Sequence, residues 1–223
     1  MILYTLALLF SLAAIGVVYR RAVARWVWES RLGRWCVTYI APLPYWPTRN
    51  VLTKKQYREC YRVIEVGDEV HTLSRRTIGS LFTPGEDVTH SSRCVGKTTA
   101  GAQIAEMTSE NYGVVDLREV AKHSRAVIVT RPRFGDGGGQ RAADKCLEAE
   151  DADYDETFRI DNNRNKIPML SCADLLEFSD VDKLTPVEPE RISWLGYDVI
   201  TPQGFFNAAK RHGAIVFDSR KFT

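Results

Sequence analysis

The sequence predicts an α+β domain built on an antiparallel sheet with one cysteine-bearing helix, preceded by an N-terminal transmembrane helix. Three observations carry that reading. Between residues 61 and 130, short runs of alternating apolar and polar residues are separated by turn signals, which is the pattern of half-buried strands. Ser171-Cys172-Ala173-Asp174 then opens a helical segment with a capping residue directly ahead of a thiol. Ile2 to Tyr19 carries neither a charge nor a proline.

The composition sets limits on function. A chain of 223 residues holds one ordinary domain and an appendage, and its 44% hydrophobic and 26% charged residues are those of a globular protein. The formal net charge is +2, with the basic residues spread along the chain, so nothing points to a nucleic-acid partner. Cys36, Cys60, Cys94, Cys146 and Cys172 are odd in number and form no CxxC pair. That spacing argues against a disulfide framework and a zinc site, predicts no metal or cofactor, and suits a reducing compartment.

As a helix, residues 2–19 would be ~27 Å long, close to the thickness of a hydrocarbon core. Arg20, Arg21 and Arg25 follow the run and nothing basic precedes it, the reverse of a cleaved signal. The reading is a single-pass anchor over residues 1–20, with the N-terminus outside and the C-terminal domain in the cytoplasm. A helix buried in the domain is the competing reading. Trp26, Trp28, Trp35, Tyr39, Tyr45 and Trp46 then alternate with Arg21, Arg25, Arg31 and Arg34, a mixture suited to the headgroup layer or to a helix packed on the domain. Pro42, Pro44 and Pro47 end regular structure and mark a linker, so residues 21–55 form a juxtamembrane segment and residues 56–223 the domain.

Within the domain, Tyr61 to His71 predicts a strand on each side of a Gly67-Asp68 turn, and Arg75 to Phe82 a short helix. Val88 to Val95 and Gln103 to Thr108 predict two strands joined by a turn at Gly96 to Ala100. Val114 to Leu117 reads as a strand, Arg118 to His123 as a helical turn and Ala126 to Thr130 as a β-branched strand. Gly135 to Gly139 reads as a flexible loop beside the site, Gln140 to Ala149 as a helix, and Asp151 to Lys166 as a polar loop. The Cys172 helix follows, then a strand at Trp194 to Ile200, a helix at Gly204 to Lys210 and a strand at Ala214 to Phe217.

A thiol at a helix N-terminus meets the positive end of the dipole, which favours the thiolate, the form that attacks a carbonyl carbon. Such a nucleophile needs a base, and the base needs a third group to fix its ring. A hairpin centred on Thr98 would pair His90 directly with Glu106, with Cβ atoms about 4.5–5.5 Å apart. Cys172, His90 and Glu106 are therefore the candidate catalytic residues.

Taken together, Gly67-Asp68, Thr89-His90, Ile104-Ala105-Glu106, Asp153-Tyr154-Asp155 and Ser171-Cys172-Ala173-Asp174-Leu175, with Ile200-Thr201-Pro202 near the end, resemble a known group. That group is the circularly permuted papain-like amidases, the YiiX/YaeF-like proteins, related to NlpC-type cysteine peptidases and to lecithin:retinol acyltransferase-like enzymes. The resemblance spans residues 60–218. It implies a thiol hydrolase, amidase, peptidase or acyltransferase in which Cys172 attacks, His90 acts as base and then acid, and Glu106 orients the imidazole. It also implies Tyr154 as an oxyanion or substrate contact. The residues flanking the histidine and the cysteine depart from the group, with Ser91-Ser92-Arg93 after His90, and Ser171 and Ala173 around Cys172.

The substrate implied is a membrane lipid ester or an acyl-amide, with a cell-wall peptide amide as the alternative. A membrane-tethered interaction module without turnover is the competing reading from another class. Ser91 to Thr98 is one residue short of a phosphate loop, and Gly135 to Gly139 has Gln140 at the third glycine position of a dinucleotide fingerprint.

Overall fold

The computed structural model describes residues 52–74, 88–108, 111–122, 124–154, 169–180, 189–194, 197–212 and 214–221, with isolated positions at Ser30, Arg31, Trp35 and Ile40. The expected span at residues 2–19, nearly all of the juxtamembrane segment, and the helix expected at Arg75 to Phe82 lie outside the described residues. Among the described residues, no helix is long and apolar enough to cross a membrane.

A six-stranded antiparallel sheet organises the domain. Its strands are β1 (Glu69–Ser74), β2 (His90–Thr98), β3 (Gly101–Thr108), β4 (Asn111–Asp116), β5 (Ser124–Thr130) and β10 (Ile215–Asp218), in the order β10-β5-β1-β2-β3-β4. The helices are α1 (Lys54–Val63), α2 (Leu117–Lys122), α3 (Gly138–Leu147), α4 (Cys172–Ser179) and α5 (Pro202–Arg211). Two small sheets complete the fold. β6 (Asp153–Tyr154) pairs in parallel with β7 (Met169–Leu170), and β8 (Arg191–Trp194) pairs with β9 (Tyr197–Ile200).

Period-two alternation divides the apolar residues between the faces of the sheet. Val70, Cys94, Ile104, Val127 and Val129 meet Cys60, Ile64 and Leu117 on the α1 and α2 side. On the other side, Val95, Ala105 and Met107 meet Ala143 and Cys146 of α3 and Leu175 of α4. Ala126 and Ile128 pack with Phe206 of α5, and Phe205 joins Ala173 and Leu176 of α4.

Several local expectations need correction. Tyr61 to Val63 form the end of α1, not a strand, and that helix begins inside the expected linker. Tyr57, Cys60, Tyr61 and Ile64 fall at helical spacing, and Thr53 with Gln56 closes a capping box, which outweighs a four-residue alternation. The β2–β3 turn is the two residues Thr99-Ala100, because Gly96, Lys97 and Thr98 still pair with Gln103, Ala102 and Gly101. Trp194 to Ile200 is the end of one strand and the whole of a second. Gly135 to Gly137 is a turn, closed by Gly138 N–H donating to Gly135 O at 2.8 Å, and it feeds α3 directly.

Helix α4 begins as its sequence requires. Asp174 N–H donates to Ser171 Oγ at 3.2 Å, and Ser171 N–H donates to Asp174 Oδ2 at 2.9 Å. Ser171 is almost fully buried, so Ser171→Ala is expected to cost about 1 kcal/mol of unfolding free energy in a urea titration.

Candidate active site

Three elements converge on one point. His90 opens β2, Glu106 lies near the end of β3, and Cys172 is the first residue of α4. The register that joins the first two depends on one extra residue. Gly96 faces Gln103, whereas Cys94 faces Ile104, so Val95 is a bulge in β2.

Continued past Arg93, this register sets Glu106 opposite Ser92, two residues from His90. The direct pairing expected from the sequence is therefore off by two. A two-residue offset preserves the face, and long side chains reach across that diagonal. Continued without the bulge, the turn-end register would send His90 and Glu106 to opposite faces.

His90 Nε2–H donates to Glu106 Oε2 at 3.1 Å. Cys172 acts on the same ring, through its charge and a side-chain hydrogen bond. The His90 and Glu106 side chains are 18% and 19% exposed and Cys172 is 6% exposed, so all three are largely shielded from solvent.

Burial alone would lower the basicity of His90. The charge and hydrogen bond of Cys172, followed by the hydrogen bond and charge of Glu106, outweigh it and raise the imidazole pKa from 6.5 to about 10. These two neighbours favour the charged form of the ring. Burial keeps the other described thiols protonated. Burial pushes Cys60 up to about 12 and Cys94 and Cys146 up to about 11.

The capping box employs the Ser171 and Asp174 amides. It leaves the Cys172 and Ala173 N–H groups in the first turn, which have no acceptor within the helix and point along its positive end. Tyr154 has a defined backbone position only. It pairs with Leu170, two residues before Cys172.

The sequence offered no sign of the buried polar groups beside this site. Arg93 is fully buried, and so are His71, Ser91 and Thr130. Thr130 O–H donates to Glu69 Oε2 at 3.0 Å, so its oxygen accepts from His71 Nε2–H at 3.0 Å; His71 Nδ1 then accepts from Ser91 O–H at 2.8 Å. Polar residues alternating on a strand ordinarily indicate a wet face, which is why none of these stood out.

The near-match to a phosphate loop lacks the context it needs. Ser91 to Thr98 lies within β2 and is followed by a β-turn, not by the helix a phosphate loop requires. Among the described residues, no three His, Cys, Asp or Glu side chains are arranged to hold a metal ion.

Comparison with known proteins adds one result. No protein-family model matches the chain, and no curated protein matches it. Among solved structures it is similar to the crystal structure of the metalloprotein yiiX from Escherichia coli O157:H7, at a TM-score of 0.53 and 15% identity. The match covers 65% of this chain and 93% of that one. The likeness is one of fold: the domain is α+β, with a YiiX-like antiparallel sheet and flanking helices.

Proposed function

We propose that the chain is a cysteine-dependent acyl hydrolase or acyltransferase, acting on an amide or ester through a thioester. One observation carries this reading: Glu106 accepts a hydrogen bond from the His90 ring, and Cys172 acts on that same ring by its charge and a side-chain hydrogen bond. A tethered interaction module would need no such alignment. The YiiX-like fold is consistent with a permuted papain-like domain, in which His90 and Glu106 precede the cysteine in the chain.

Chemically, the Cys172 thiolate attacks the carbonyl carbon, forming a C–S bond while the carbonyl electron pair moves onto oxygen. The Cys172 N–H stabilises that oxyanion, with Tyr154 proposed as a second donor. His90 Nδ1–H gives its proton to the departing amine or alcohol as the C–N or C–O bond breaks. The neutral ring then takes a proton from water or an acceptor alcohol, whose oxygen attacks the thioester and releases the thiolate. His90 thus holds the proton taken from the thiol and returns it as an acid, the base-then-acid role that the resemblance implies. Glu106 holds the ring and favours its charged form.

The proposal extends to a single-pass anchor over residues 2–19 with a cytoplasmic domain, and to a lipid ester or acyl-amide substrate. A cell-wall peptide amide is the alternative.

Iodoacetamide alkylation of Cys172, followed by peptide mass spectrometry, tests the pair. At pH 6, His90→Ala is expected to slow the reaction by roughly 10- to 100-fold, because the thiolate loses its imidazolium partner. The difference should narrow as pH rises through about 10, where His90 loses its proton. Equal rates in the two proteins at pH 6 would overturn the assignment.

A further inference from the structure

We infer that Arg93 is a positioning residue that sets Cys172 against His90 by clamping the far end of α4 to the strand bearing the histidine. This rests on the cysteine hydrolase reading above. Arg93 Nε–H donates to Ser179 Oγ at 2.9 Å, Nη2 donates to Leu176 O at 3.3 Å, and Nη2 also pairs with the Asp180 carboxylate. All three partners belong to the last turn or the C-cap of α4. That helix has no basic residue of its own in its last turn, so the sheet supplies the cation that its exposed carbonyls and dipole favour.

The helix is thus tied to β2 near both ends, by Arg93 at its last turn and by the interaction of Cys172 with His90 at its first. A shift of the helix along the strand would break both joints together.

The guanidinium is itself fixed on its other side. Nη1–H donates to Gly67 O at 2.9 Å, and Glu69 Oε1 lies 3.8 Å from Nη2. Through Glu69 the buried hydrogen bonds of Thr130 and His71 continue to Ser91, the residue next to His90. Burying a guanidinium is costly, and such a group can often be replaced by apolar residues without loss of stability. A role in geometry accounts for its place here.

Arg93→Lys keeps the charge but cannot reach Ser179, Leu176 O, Asp180 and Gly67 O at once. It is expected to slow Cys172 alkylation at pH 6 by about 10-fold or more, as for a misplaced reacting group, and to lower the His90 pKa measured by NMR. Val120→Ala, in α2 and buried against Cys60, Ile64 and Leu117, should lose stability while leaving both readouts unchanged. A folded Arg93→Lys protein with the wild-type alkylation rate and His90 titration would reduce Arg93 to a structural residue.

If Arg93→Lys does not fold, Asp180→Asn removes the charged arm at the end of the helix and should slow alkylation about 3-fold. An unchanged rate there overturns the inference equally. A wild-type Cys172 no more reactive than an ordinary thiol would instead fail the hydrolase reading itself, so the two failures are distinct.

Discussion

Replacing Cys172 with alanine is expected to abolish alkylation at that position and to lower hydrolysis of any acyl-amide or ester substrate by roughly 10⁴-fold or more. The reason is chemical. No other group of the three can form the covalent bond, and a protonated imidazole cannot act as a nucleophile. Cys60, Cys94 and Cys146 cannot substitute, since burial pushes their pKa values to about 11 or 12 and keeps them as thiols at neutral pH. Peptide mapping after mild iodoacetamide treatment should find Cys172 modified and those three untouched. Retention of hydrolysis by Cys172→Ala would place the chemistry elsewhere.

The largest effect on stability is expected at Gly67. Its φ of +94° lies where an L side chain is strained, and an added Cβ would sit 2.5 Å from the Gly139 Cα atom. The left-handed conformation costs about 1–2 kcal/mol, and the overlap about 1–3 kcal/mol more, because the obstacle is backbone and cannot rotate away. Gly67→Ala is therefore expected to lose about 2–5 kcal/mol in urea unfolding. The same residue accepts a hydrogen bond from Arg93 and donates one from its amide to Cys94 O at 2.8 Å. A shifted Gly67 should thus also slow Cys172 alkylation in whatever fraction stays folded. Gly113 serves as the control, since no atom lies within 4 Å of an added Cβ there. Gly113→Ala should change stability by no more than about 0.5 kcal/mol.

The candidate site was more legible than the fold around it. Cys172 was found from a local rule, the capping residue and acidic partner that open a helix, and such rules act within a single turn. His90 and Glu106 were found from strand pairing, which survives an error of two residues because side chains repeat every two. An error of one residue would have hidden the pair. The first half of the Tyr61 to His71 segment was misread because its few apolar positions fit both a strand and the last turns of a helix. The capping pair Thr53 and Gln56 lay outside the segment being compared.

The sequence by itself picked out the candidate residues: a thiol at a capped helix start, and a histidine and a glutamate on neighbouring strands. Each follows from interactions between residues close in the chain or paired across a short turn. Only the tertiary structure decided how they meet. The bulge at Val95 keeps His90 and Glu106 on one face, although no feature of its side chain announces an extra residue in the ladder. Arg93 finds Ser179 and Asp180 more than eighty residues away. Its charge would mark a solvated position on an isolated strand, and it becomes a buried clamp only once the sheet and α4 have closed over it.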